Sequence, residues 1–398
     1  MKHQYFMIIA VLLAALLLFT ACAGTGAAEE ATADETVSPE DATDAAESIS
    51  DNDAAESGEV EIWLEGTTAR AASDAVSVSG STVTISGEGT YVLSGTLDNG
   101  YVIVDAGKEE EVQLILNGVS VTSEDFAALY VASADKVTVT LAEGAVNTLV
   151  NGGSFTAVDE SNVDAVIFSK DDLTLEGTGT LIITSPAGHG VVGKDDLKIS
   201  GGSYEINAAE TAIKANDSIE IADGVFTLTA GADGLHAENS DDESLGSIYI
   251  SGGTFSIDAV DDGVHATTTL QIDGGVFEIT AAEGLEATCI TVNGGDIAVA
   301  AADDGINAAW KSSLYWPAIE INGGSIAVVM GPGDTDGVDS NGDIVINGGT
   351  VSVSGNSAFD YDGTGVINGG AVIVNGQQVS ALPNQMMGGG MGGPGWRP

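Results

Sequence analysis

Ile-Ser-Gly-Gly-Thr-Phe-Ser-Ile-Asp-Ala-Val-Asp-Asp-Gly-Val-His-Ala (250–266) carries most of the information about the fold. Phe255 and Ile257 alternate with small or polar residues, and so do Val264 and Ala266. Alternation of period two marks strands rather than helices. Upstream, Ile248-Tyr-Ile250 supplies a third alternating segment, separated from Phe255 by a Ser-Gly-Gly turn. The same order recurs as Leu270-Gln-Ile272, Phe277-Glu-Ile279 and Leu285-Glu-Ala287. It returns as Ile319-Glu-Ile321 with Ile326-Ala-Val328, and as Ile344-Val-Ile346 with Val351-Ser-Val353. A unit of three short strands cannot bury a face alone, so the units must stack.

The reading is therefore an all-β chain, a parallel β-helix with three strands per rung and about nine regular rungs. Residues 76–150 alternate less regularly and are expected to form irregular N-terminal rungs that cap the coil. The turn after the first strand begins with Ser200, Ala222, Ser251, Asp273, Asn293, Asn322, Asn347 and Asn368. Stacked Asn side chains there can hydrogen-bond along the coil axis. Tyr204, Phe226, Phe255 and Phe277 should stack inside as core.

Lys and Arg number 10 against 60 Asp and Glu, a formal charge of -50. Such a surface repels nucleic acid and favours divalent cations. Lys2 and the apolar run Tyr5–Phe19 read as an export signal, too short for a comfortable membrane span. Leu-Phe-Thr-Ala-Cys (18–22) resembles a bacterial lipobox, which implies cleavage after residue 21 and lipidation of Cys22. Residues 22–58 then form an acidic disordered linker, 59–382 the coil, and 383–398 a Gly- and Met-rich tail. The expected place is the extracellular face, held to the membrane only by the lipid, with the protein a monomer. After lipidation of Cys22 only Cys289 would remain, so no internal disulfide is possible.

Ile-Ser-Gly-Gly-Thr-Phe-Ser-Ile (250–257), Asp-Asp-Gly-Val-His-Ala (261–266) and Leu-Ile-Leu-Asn-Gly-Val (114–119) together resemble the clostridial carbohydrate-binding β-helix proteins. The resemblance spans roughly residues 60–380. It implies a right-handed, pectate-lyase-like coil that carries calcium and binds cellulose or acidic sugars such as polygalacturonate.

The leading residue of the second turn reads Asp164, His189, Thr211, Asp233, Asp262, Glu283, Asp304, Asp336, Ser357, at steps of 21 to 32 residues. Three places later stand Val192, Lys214, His236, His265, Glu286, Asn307, Asp339 and Asp360. Carboxylates on adjacent rungs lie about 4.8 Å apart and repel unless a cation joins them. The only arginines, Arg70 and Arg397, lie outside the regular coil. Calcium is thus expected on Asp233, Asp261, Asp262, Asp303, Asp304, Asp336 and Asp339. Asp before Gly also makes plain Asx-turns, which need no metal. His236 and His265 are read as a solvated ladder, with transition-metal ligation as the other reading.

Aromatic residues are only 5% of the chain, yet Trp310, Tyr315 and Trp316 fall in one inserted segment, 310–317. Flat aromatic faces stack on pyranose rings. Lys311 beside them suits a sugar carboxylate. The carbohydrate-binding candidates are therefore Trp310, Lys311, Tyr315 and Trp316. A second insertion, 239–246, leaves at a similar corner and could help wall a groove. The expected function is non-catalytic binding of plant or cell-wall polysaccharide. Two other readings stand beside it. One is a lyase using Lys170, Lys194, Lys214 or Lys311 as base, or a hydrolase using Asp pairs. The other is a surface spacer without sugar ligand.

Overall fold

A computed structural model describes residues 58–156, 161–332 and 335–384. Every regular element in it is a β-strand. Ser247–Ile250 pairs in parallel with Thr269–Ile272, Thr254–Ala259 with Val276–Ala281, and Asp262–Ala266 with Glu283–Ala287. Each strand thus finds its partner three strands further on, so the chain winds in coils of three strands. The third-strand column runs without a break from Thr82–Ile85 to Ser357–Tyr361. The other two positions merge into one 23-stranded sheet.

Residues 76–150 belong to this stack more fully than their patterning suggests. Tyr101–Asp105 and Leu129–Ser133 lie in the third-strand column and pair in parallel with their neighbours. Their irregularity is local, in register shifts at Leu93/Gly95 and Val104/Asp105. Capping falls to two antiparallel hairpins, Glu59–Gly66 with Ala69–Ala71 and Val76–Ser79 with Thr82–Ile85. At the other end Ala371–Val374 pairs antiparallel with Gln377–Val379. Turning the last strand back removes the exposed parallel edge that would template further pairing.

The core is a ladder. Tyr204, Phe226, Phe255 and Phe277 are each 1% exposed. Their rings stack at 5.1, 4.6 and 4.5 Å between successive centroids. At the first turn the Asn ladder forms as expected. Asn322 Nδ2 donates to Asn293 Oδ1 at 2.9 Å, Asn347 to Asn322 at 2.8 Å, and Asn368 to Asn347 at 2.8 Å. Gly253 and Gly275 sit at φ 107°, which L side chains rarely adopt, and so close this corner. Residues 1–57 and 385–398, including Cys22, the signal segment and nearly all of the linker and tail, lie outside the described residues.

Candidate functional site

On the third strand of each coil, Val264, Leu285, Ile306, Val338 and Phe359 point inward and are fully buried. The next residue faces outward. Register stacks Lys214, His236, His265, Glu286, Asn307, Asp339 and Asp360 into one column. Asp262 lies opposite Glu283 beside it, and Asp336 opposite Ser357. Gly follows Asp233, Asp262, Glu283, Asp304 and Asp336 and lets the corner press inward there; Ala follows Asp164, Thr211 and Ser357. A Cβ on Gly263 would stand 2.4 Å from Ile279 Cγ2 and 2.6 Å from the Gly284 carbonyl.

The first half of the column pairs histidines with carboxylates. Asp233 Oδ2 is 2.5 Å from His236 Nδ1, and Asp262 Oδ2 is 2.7 Å from His265 Nδ1. Glu286 Oε2 approaches the same His265 nitrogen at 3.0 Å. The imidazole rings stack 4.4 Å apart at 12°. Asp233 and Asp262 are buried, and the His236 and His265 side chains are only 13% and 15% exposed. The two histidines are therefore not a solvated ladder: carboxylates and neighbouring coils cover them. Burial, then Glu283 and Asp233, push Asp262 up to about 7. Burial, then the neighbouring His236, pull His265 down to about 4. Burial would raise Asp233 too, but the hydrogen bond and charge of His236 outweigh it and leave its pKa lowered.

The second half is made of oxygen donors. Asp304 Oδ1 accepts the Asp336 N–H at 3.1 Å. Asn307 Nδ2 donates to Glu283 Oε2 at 2.9 Å, while its Oδ1 is buried without a hydrogen-bond partner. Burial, then the charges of Glu283, Asp303 and Asp336, hold Asp304 at about 7. Burial, then Asp304, Asp336 and Asp360, do the same for Asp339. Asp261 and Asp303 stand exposed at the corner.

Among the described residues, three sets of His, Asp and Glu bring ligand atoms within 4.8 Å of one another. They are Asp233, His236 and His265; Asp262, His265 and Glu286; and Asp172, Asp195 and Asp196. Of the seven aspartates singled out from sequence, Asp233 and Asp262 fall in histidine-containing sets. Asp304, Asp336 and Asp339 share the oxygen-rich half. Glu283, Glu286 and Asn307 also belong to the site; their place in the repeat alignment was the available signal.

The inserted segment 310–317 stands over the column. Trp310, Leu314, Tyr315 and Trp316 are 51%, 56%, 38% and 58% exposed. The other exposed large apolar residues among those described are valines. The Trp310 and Trp316 rings meet edge to face, 5.2 Å apart at 88°. The segment does not fold down as a core cover: polar contacts fix its base and leave its rings out. Thr288 Oγ1 accepts the N–H groups of Lys311 and Ser312 at 3.2 and 2.9 Å. The Ser312 hydroxyl donates to the Glu243 carbonyl, and the Ser313 hydroxyl and N–H to its carboxylate. The insertions 239–246 and 310–317 thus brace each other. Lys311 departs from expectation: its Nζ turns back to Glu286 Oε1 at 2.7 Å rather than standing free for a sugar.

Residues 79–337 match the family described as carbohydrate-binding domain-containing protein. The chain belongs to that family. A carbohydrate-binding domain-containing protein of Acetivibrio thermocellus is 38% identical over 137 residues, covering 34% of this chain and 48% of that relative. The chain thus aligns with about half the length of that relative. A solved structure, the polysaccharide lyase-like protein from C. thermocellum as a gadolinium derivative, superposes with a TM-score of 0.53. It is 33% identical, and the match covers 61% of this chain and 94% of that one.

Proposed function

We propose that this member of the carbohydrate-binding domain family is a non-catalytic polysaccharide receptor of the cell surface, anchored through Cys22 and built as a right-handed parallel β-helix. One observation carries the reading: among the described residues, the large apolar rings left exposed gather on one braced loop, Trp310 to Trp316. Their faces bury sugar C–H surface at about 25 cal/mol per Å². Two rings at right angles fit a chain gripped at an angle, or two neighbouring sugar units. The sugar is cellulose, an acidic polymer of the polygalacturonate kind, or both.

Calcium is the counter-ion this reading requires for an acidic polymer, because two polyanions do not associate unaided. The oxygen-rich half of the column fits it. Asp304, Asp336 and Asp339 supply carboxylates, and the unpartnered Asn307 Oδ1 supplies a neutral oxygen of the type calcium accepts. Asp233 and Asp262 fit less well, since each already faces an imidazole nitrogen. The test is retention on cellulose and on pectate gel, with calcium and with EDTA. Retention on neither polymer overturns the receptor reading. Pectate retention that ignores EDTA overturns the role of calcium.

A lyase has one specific point in its favour. Burial lowers the pKa of Lys194, as a proton-abstracting amine needs. Lys311 is committed to Glu286 and makes a poor base. Unsaturated sugar ends released from pectate, and lost in Lys194→Ala, would establish that second reading.

A further inference from the structure

We propose that Asp233, His236, His265, Asp262 and Glu286 form a binding site for a borderline transition metal dication, zinc first among them, distinct from the oxygen-rich calcium column. Two convergent sets share His265, and within each the ligand atoms lie within 4.8 Å. A mixed imidazole and carboxylate donor set suits zinc and poorly suits calcium, which takes six to eight oxygens. Three carboxylates, Asp233, Asp262 and Glu286, face one ammonium, Lys311, across two imidazoles. With neutral rings two negative charges remain, the charge of one dication. The existing hydrogen bonds do not resolve this. His265 Nδ1 carries at most one proton but faces Asp262 Oδ2 at 2.7 Å and Glu286 Oε2 at 3.0 Å.

The surroundings resemble the outer shell of a metal site. Asp233 accepts the Thr211 hydroxyl at 3.3 Å, and its other oxygen accepts the Asp262 N–H at 3.1 Å. The remaining ring nitrogen of His236 is buried without a hydrogen-bond partner, with Glu238 Oε2 3.4 Å away. Partners like those of Asp233 hold a ligating carboxylate in place and tune its basicity. Ligands on a tetrahedral zinc lie about 3.3 Å apart for bonds of 2.0–2.1 Å. The parallel rings, 4.4 Å between centroids, must therefore turn slightly to close on an ion. Stacking on successive coils already points both Nδ1 atoms to the carboxylate side. Glu286 also holds Lys311, so an ion drawn to Glu286 competes with the ammonium at the base of the aromatic loop.

The test is calorimetric titration of the whole chain with zinc in excess calcium, which occupies the oxygen-rich column. We expect one zinc per chain. His265→Ala should weaken it at least a hundredfold, and Thr211→Val about tenfold. Glu278→Gln, an exposed carboxylate on the second strand away from both sets, should leave it unchanged. Cobalt(II) added to the unmutated chain gives a readout independent of folding in the variants: a four-coordinate nitrogen and oxygen site produces intense visible bands. Absence of stoichiometric zinc binding, zinc affinity unchanged in folded His265→Ala, or only the faint spectrum of octahedral cobalt would each overturn the proposal.

Discussion

Lys311 Nζ meets Glu286 Oε1 at 2.7 Å, joining the base of the aromatic loop to the buried column of the coil below it. The Glu286 side chain is only 5% exposed, and its pKa is raised, first by burial, against the opposing pull of Lys311 and His265. Lys311→Met would keep the packing stem but leave that carboxylate facing Asp262 without its ammonium. We expect a loss of about 1–3 kcal/mol of stability, the cost of stranding a buried charged acceptor. Glu286→Gln in the same background should recover most of it. Chemical denaturation of the two single variants and the double variant checks this; additive losses would show that the pair does not interact.

Stability without metal should run opposite to the usual acid-denaturation profile. Asp262, Glu283, Asp304 and Asp339 are each pushed up to about 7 by burial and neighbouring carboxylates. An unfolded chain releases those protons near pH 4. Between about pH 4 and 7 the four carboxylates hold extra protons in the folded chain, outnumbering those that His189 and His265, both lowered by burial, give up on folding, so stability falls as pH rises. Above 7 these groups add no further slope. Under the proposed calcium binding, added calcium should hold these groups ionised and flatten or reverse the trend. Thermal melts at pH 5 and pH 8, in EDTA and in calcium, decide the matter. A chain more stable at pH 8 than at pH 5 in EDTA would contradict this charge arrangement.

What the sequence revealed and what it hid follow one physical line. Period-two alternation and repeated turns are local, so the strands, the aromatic stack and the Asn ladder were all legible from short windows. Register between coils followed too, because an inward apolar residue such as Val264 must sit over Leu285. Burial of the outward column was not legible. It depends on contacts such as Ser313 with Glu243, 70 residues apart, whose loops have no repeat to align. Lys311 looked free for the same reason. His236 and His265 looked solvated because alternation says which way a side chain points, not what lies across from it.

The corner glycine offers a sharper check on that register. A Cβ on Gly263 would fall 2.4 Å from Ile279 Cγ2 and 2.6 Å from the Gly284 carbonyl, so a methyl there forces the strand outward. Gly263→Ala should cost about 1–3 kcal/mol through overpacking. It should also weaken metal binding, because Asp262 is carried on the displaced segment. Ala at Gly118, where the added carbon meets nothing, tests the backbone alone: its φ of 76° strains a side chain without any clash. If Gly263→Ala melts like the unmutated chain, the coils are less tightly stacked than the distances indicate.

Sugar binding and folding should separate cleanly at the aromatic loop. Trp310 and Trp316 leave about half of their surface in water, so removing them opens no core cavity. Trp310→Ala with Trp316→Ala should leave the melting temperature within about 2 °C, as expected for exposed positions. The same change removes stacking surface. If each ring covers roughly 60 Å² of sugar, the loss is about 1.5 kcal/mol per ring, or tenfold in affinity. Loss of both should weaken binding about a hundredfold. Affinity electrophoresis in gels cast with soluble glucan or with calcium pectate measures the loss directly. Because the rings meet at 88°, one flat polymer face cannot lie on both. The single variants should therefore each lose affinity on their own, and a double variant no weaker than the weaker of the two singles would mean that only one ring touches the sugar.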